Sequence, residues 1–262
     1  MVVSAVSMKG VRAVIDRLNL PNPQTLIVTA TKGLDSESGT DVTLPMLPSE
    51  IWQSAFPNHA VSVLSGPNLS KEIQLGLPAA SVIASINAKS ADRVQAAFSS
   101  NRFRVYTNGD PLGVELGGTL KNVIAIAVGA CDGLQLGANA KAALVTRGLA
   151  EMIRLGQYWG AKPETFYGLS GLGDLLATCS SSLSRNYQVG YGLAQGKTLS
   201  AVLNHLEGTA EGINTTQVLV KLAQQQKISM PISTQVDRLL RGEITPQAVV
   251  EELMQRDSKP EI

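Results

Sequence analysis

Between Glu115 and Gly156 the chain reads ELGGTLKNVIAIAVGACDGLQLGANAKAALVTRGLAEMIRLG, a run that few folds can accommodate. Its apolar residues recur at helical spacing: Leu116, Leu120, Val123, Ile124 and Ala127, then Ala143, Leu144, Met152, Ile153 and Leu155. Glycine-bearing turns around Gly133 and Gly137 divide it into two helices. Midway along the first stands Lys121, followed by Asn122 and preceded by Gly117 and Gly118. A lysine and an amide are costly to bury in an apolar helix. Glycines weaken a helix but let a strand, a loop or a ligand come close. Two readings stand side by side: a lysine held in a pocket for chemistry, or a lysine snorkelling from the polar face of its helix.

Upstream of this stretch, strands alternate with helices. Val2–Val6 reads as a strand, Met8–Leu18 as a helix and Thr25–Ala30 as a second strand, a right-handed parallel unit. Further strands are expected at Val61–Leu64, Ser81–Ser85 and Phe103–Tyr106, with helices near Pro48–Ala55, Leu69–Leu75 and Ala91–Phe98. Beyond about Pro111 the strand signals stop, and helical patterns run to near Arg256 before a short charged tail. The expected fold class is therefore α/β followed by all-α. Residues 1–110 form a partial doubly wound parallel sheet, residues 111–262 a helical domain, and the active site lies between them.

Composition narrows the function. A formal net charge of +1 and 4% aromatic residues argue against a nucleic-acid partner. No uninterrupted apolar run approaches the roughly 18–20 residues that span a bilayer, and the first residues lack a signal peptide's basic segment. Two cysteines in apolar helical segments suggest no disulfide framework, and two histidines without ligand spacing suggest no metal. A soluble, cytoplasmic protein is the expectation.

Four other segments carry chemistry. Lys32, in TATKG, lies just past the carboxyl end of the second strand, where open α/β sheets place their ligands. SGPNLSKEI follows another strand, with Gly66 and Pro67 making a tight turn into a helix. In GLGDLLAT, Asp174 and Thr178 are four apart and share a helix face. Ser184, Arg185 and Asn186 then supply a hydroxyl, a guanidinium and an amide in succession, a grouping that suits a phosphate, although Asp174 and Ser184 also suit plain helix caps. Last comes GTAEGINTTQVLVKLAQQQKISMPI.

Taken in order, TKG, SGPNLS, GGTLKN, GLGDLLAT with SRN, and AEGINT resemble the NAD(P)-dependent glycerol-3-phosphate dehydrogenases over nearly the whole chain. The resemblance implies a Rossmann-type first domain and hydride transfer between NAD or NADP and the secondary carbon of dihydroxyacetone phosphate or glycerol 3-phosphate. It implies Lys121 as catalytic acid/base, and Lys32, Gly66, Asn68, Lys121, Asn122, Asp174, Thr178, Ser184, Arg185 and Asn186 as substrate-binding residues. Lys32, Ser70, Arg185, Thr209 and Glu211 would meet the cofactor. Asn68 replaces a small hydroxyl residue of the family pattern, Ser70 an alanine, and Thr209 and Ala210 two valines. The family's opening strand–GxGxxG–helix is absent, so by the resemblance roughly sixty to seventy residues are missing and weak cofactor binding, or none, is expected. The alternatives are a non-catalytic remnant that binds sugar phosphate, and a related two-domain 2-hydroxyacid dehydrogenase. The resemblance is compatible with a homodimer and does not decide between NAD and NADP.

Overall fold

The computed structural model describes residues 1–37, 44–258 and 260. Five strands form one sheet in the order of the chain: β1 (Val2–Ser4), β2 (Ile27–Thr29), β3 (Val61–Ser65), β4 (Ala79–Ala84) and β5 (Phe103–Asn108). β1, β2 and β3 run parallel, with Val3 opposite Val28 and Val28 opposite Ser62. Between them lie α1 (Val11–Ile15), entered through a 3₁₀ turn at Met8–Gly10, and α2 (Pro48–Ala55). Met8, Val11, Ile51 and Trp52 from these helices cover Ile27 on one sheet face. The opposite face packs Val28, Leu64, Ile83 and Val105 against Ala91 and Val94 of α4 (Ala88–Phe98).

The expected α/β region is present, but its sheet is mixed. β4 runs antiparallel to β3, with Leu64 opposite Ile83, and β5 is again parallel to β4. The link between β3 and β4 holds only α3 (Ser70–Gln74), which buries no residue. A parallel pair needs a crossover element packed on the sheet, and a helix without a buried face cannot serve as one. The expected helix at Met8–Leu18 is shorter, its α-helical part ending at Ile15.

The rest is helical: α5 (Pro111–Gly133), α6 (Gly137–Tyr158), α7 (Asp174–Cys179), α8 (Arg185–Ala194), α9 (Leu199–Asn204), α10 (Glu211–Gln225), α11 (Pro231–Leu240) and α12 (Pro246–Met254). Residues 259, 261 and 262, in the expected charged tail, lie outside the described residues. Asp110 caps α5 by accepting from the Gly113 amide, and its other oxygen accepts from the Lys162 amide and the Thr165 hydroxyl. Every residue of α5 from Gly113 to Ile126 is buried. By length and mean hydropathy α5 could cross a membrane, contrary to the reading from uninterrupted runs. However, 94% of that apolar window is buried inside the protein, which is how the central helix of a packed core behaves. The largest core cluster joins Leu116, Leu120, Val123 and Ile124 of α5 to Met152 and Leu155 of α6, Leu175 of α7 and Leu219 of α10.

Candidate active site

The carboxyl ends of β1, β2 and β3 open onto a cleft of about 870 Å³. Ala5 to Ser7, Ala30 to Lys32, Leu64 and Asn68 to Lys71 form one wall. The other is helical: Lys121 and Asn122 of α5, Thr178 of α7, Leu183 to Asn186 at the start of α8, and Thr209 and Glu211 at the start of α10. Ligand clefts span roughly 300–1,000 Å³ and sit at strand carboxyl ends in open α/β sheets. This one has both properties.

Lys121 reaches the cleft from a buried helix turn, its side chain only 9% exposed. Its Nζ donates to Asp174 Oδ1 at 2.9 Å and to Thr178 Oγ1. Thr178 Oγ1 in turn donates to the same Asp174 oxygen at 3.1 Å, across one turn of α7. Lys32 Nζ pairs with the other carboxylate oxygen, Oδ2, and donates to the Gly66 carbonyl at 3.4 Å. One buried carboxylate therefore holds two ammonium groups, from the sheet and from the long helix. The snorkelling reading of Lys121 is excluded by this burial and pairing.

Lys121 is pulled down to about 8, because burial disfavours its charged form and Lys32 repels it, while Asp174 acts in the opposite sense. Burial alone would push the Asp174 carboxyl up, but the two lysines outweigh it and hold the group below the usual carboxylate range. The two directions are consistent: Asp174 has two cationic partners, whereas Lys121 has one anion and one cation nearby.

The glycines before Lys121 make this geometry accessible. A Cβ on Gly118 would lie 2.4 Å from Ser65 Oγ and 3.2 Å from Lys32 Cε, and one on Gly117 would lie 2.9 Å from the Ser170 carbonyl oxygen. The β3 end and the Lys32 side chain thus pass directly over the helix. The π-helical turn Leu169–Gly173 runs straight into α7 and delivers Asp174 to the same place.

Ser184 caps α8, its Oγ accepting from the Tyr187 amide at 3.2 Å, so the cap reading of Ser184 holds together with its place on the cleft wall. Arg185 follows as the first helical residue. Asn186 Oδ1 accepts from the Gly212 amide at 2.9 Å and ties α8 to α10. Glu211 accepts from the Met8 amide at 3.3 Å, joining α10 to the end of β1. Burial pushes its carboxyl up, against the pull of that amide, Arg185 and Lys9.

Asn68 and Ser70 line the cleft, and Asn68 Oδ1 accepts from Ser81 Oγ at 2.7 Å. Gly66 and Asp174 are not on the cleft surface. Gly66, at φ +141°, forms the turn behind Lys32, and Asp174 stands behind the two lysines with 4% of its side chain exposed. Gly66 holds Lys32 through its carbonyl, and Asp174 holds both lysines. Lys71, Gln188, His205 and Glu207 also line the cleft and were not singled out from sequence. Gly208 does not line the cleft but serves it: at φ +89° it lets the Arg185 guanidinium pass 2.5 Å from where a Cβ would sit. Its place directly before Thr209 in GTAEG is the sequence sign of it. Among the described residues no group of three histidine, cysteine or acidic side chains could hold a metal ion.

Comparison with known proteins gives a concordant result. Residues 1–91 match the family described as NAD-dependent glycerol-3-phosphate dehydrogenase N-terminus, and residues 110–251 match its C-terminus. The chain is 67% identical to "Glycerol-3-phosphate dehydrogenase [NAD(P)+]" of Trichormus variabilis, over 99% of this chain and 83% of that protein. It is 54% identical to the protein of the same name from Gloeobacter violaceus, over 99% of this chain and 84% of the other. The crystal structure of glycerol-3-phosphate dehydrogenase from Coxiella burnetii superposes with a TM-score of 0.88 at 39% identity, covering 97% of this chain and 76% of that one.

Proposed function

The chain belongs to the NAD-dependent glycerol-3-phosphate dehydrogenase family, and from that premise we propose that it interconverts dihydroxyacetone phosphate and sn-glycerol 3-phosphate using NAD or NADP. The observation that carries this reading is the Lys121–Asp174–Lys32 cluster, in one cleft with the Ser184–Arg185–Asn186 start of α8. The first can move a proton, and the second can hold a phosphate.

A pyridine nucleotide suits the sheet wall, which offers the open ends of three parallel strands with Ser70, Thr209 and Glu211 nearby. The chain contains no GxGxxG, so the residues named are those for the nicotinamide side only. When bound, the reduced cofactor supplies hydride to the substrate's carbonyl carbon. Lys121 donates its proton to the carbonyl oxygen as that oxygen gains charge, and in the oxidative direction it takes the proton from the hydroxyl. A pKa near 8 keeps both protonation states within reach at neutral pH. Asp174 and Thr178 fix Nζ, and Lys32 adds positive charge for the developing alkoxide. Arg185 grips the phosphate with two parallel N–H donors, while the start of α8 contributes its dipole and free amides. Asn122 orients the substrate hydroxyl from the next position on α5.

We assign residues 1–110 to cofactor binding and 111–262 to substrate binding and catalysis. We place the protein in the cytoplasm, a reading supported by two buried free thiols, Cys131 and Cys179. The test is oxidation of NADH or NADPH by the purified chain on addition of dihydroxyacetone phosphate, unphosphorylated dihydroxyacetone or a 2-oxo acid. Turnover that requires the phosphate is expected. Equal use of dihydroxyacetone, or preference for the 2-oxo acid, would overturn the assignment of α8 as a phosphate site.

A further inference from the structure

Lys32 is carried on a loop beyond the end of β2, yet its ammonium is placed between Asp174 and the Gly66 carbonyl. A charge on a flexible four-carbon stem keeps one position only where the backbone beneath it is held. Here the backbone is held on both sides. Before Lys32, the Thr31 hydroxyl donates to the Val6 carbonyl at 2.9 Å. After it, the Gly33 amide donates to Thr119 Oγ1 at 3.1 Å, and Asn214 Nδ2 donates to the Leu34 carbonyl at 3.0 Å. The Gly33 amide shares a planar peptide with the Lys32 carbonyl, so the Thr119 bond fixes the plane that leaves Lys32. Thr119 is fully buried in α5 and, like Asn214 of α10, stands behind the cleft walls rather than on them. Packing alone does not call for its hydroxyl, since valine fills a similar shape with no polar atom to satisfy. Thr119 lies two residues before Lys121, so one helix places both ammonium groups: Lys121 directly, and Lys32 through the glycine amide.

We propose that Thr119 and Asn214 are positioning residues for Lys32, clamping its loop between α5 and α10 so that its charge meets the substrate's developing alkoxide. This rests on the assignment of Lys32 to the dehydrogenase reaction. Neither residue touches substrate, and both act through Lys32. The titratable groups that face Lys121 are Asp174, Lys32 and the Cys179 thiol, and of these Lys32 favours loss of its proton. A Lys32 released from its clamp therefore lets the Lys121 midpoint rise.

The experiment measures two things in Thr119→Val, Thr119→Ser and Asn214→Ala. One is the Lys121 midpoint, from the carbon-13 signal of reductively methylated protein that Lys121→Met lacks. The other is kcat and KM for dihydroxyacetone phosphate. Thr119→Val and Asn214→Ala should raise the midpoint and lower kcat by roughly tenfold, within the ~10²-fold that a misplacement near 1 Å costs. Thr119→Ser keeps the hydroxyl and should match wild type in both. In a Lys32→Met background, Thr119→Val should lower kcat no further, because its route is already cut. The proposal would be overturned by an unmoved midpoint in Thr119→Val and Asn214→Ala, by Thr119→Ser losing as much activity as Thr119→Val, or by independent effects in the double variant. Should Thr119→Val not fold, Thr119→Ala removes the same hydroxyl and is read in the same way. The titration needs neither substrate nor cofactor. A wild type inactive on dihydroxyacetone phosphate would thus count against the dehydrogenase reading, while the midpoint still tests the clamp.

Discussion

Lys121 owes its usefulness to opposed effects: burial and Lys32 drive its proton off, and Asp174 holds it on. The signs of two variants follow. Asp174→Asn removes the group that raises the Lys121 pKa, so its titration should move to lower pH. Lys32→Met removes a group that lowers it, so the titration should move to higher pH. Carbon-13 spectra of reductively methylated protein would follow Lys121 directly, and identical midpoints in both variants and wild type would refute the three-residue coupling. Arg185 gives a second test. Arg185→Ala should raise the KM for dihydroxyacetone phosphate, since a charge-assisted pair is worth roughly 1.5–3 kcal/mol. Arg185→Lys should restore it only in part, an ammonium being unable to make the two-pronged contact, and full rescue would argue against that geometry. That Asp174 and Thr178 face the same way was legible from their spacing. The retreat of Asp174 behind the lysines was not, because spacing assigns a helix face but does not say which neighbour that face meets.

At the scale of elements, α5 is made by its glycines as much as by its apolar stripe. Gly129 of α5 and Gly190 of α8 bring the two helices into backbone contact: a Cβ on Gly190 would lie 1.8 Å from the Ile126 carbonyl oxygen. Gly190→Ala should therefore destabilise the fold by about 1–3 kcal/mol or more, the usual result of overpacking, and lower the thermal midpoint. An unchanged midpoint would mean that α8 shifts freely on α5. Gly118→Ala is expected to act differently, because its Cβ would push Ser65 and Lys32 away from Lys121. Turnover should fall more than stability does, and the reverse order would make Gly118 a packing residue only. The helices were readable because their apolar positions recur along the local chain. The antiparallel turn of β4 was not, since strand direction depends on whether the link can pack on the sheet, and α3 cannot.

Across the whole molecule, sheet and helices are joined by buried polar ties, and Glu115 is a pH-sensitive one. It accepts from the Ser49 amide at 2.9 Å and from the Ser49 hydroxyl, linking α5 to α2. Burial pushes its carboxyl from the ordinary 4.5 up to about 8, despite those two bonds and with a smaller push from Glu50. Between these values the folded chain holds a proton that the unfolded chain does not. Its contribution to stability therefore declines as pH rises from about 4.5 to 8 and is constant above. Glu115→Gln should lack this decline, which urea unfolding at pH 5.5 and 8.5 would reveal as a gap between variant and wild type that widens with pH. A constant gap would mean that Glu115 is already ionised when folded. The order of strands and helices made the two-part architecture legible in the sequence, whereas this tie was hidden because Ser49 and Glu115 lie far apart in the chain. The central claim is that proton transfer in the cleft belongs to Lys121. Its most direct test is the pH dependence of turnover with saturating NADPH and dihydroxyacetone phosphate, in wild type and Lys121→Met. Wild-type reduction should fall as pH rises through about 8, as the donor loses its proton. Lys121→Met should be slower by roughly 10²–10⁴-fold and lack that limb. Near-normal turnover in Lys121→Met, with the limb intact, would contradict it.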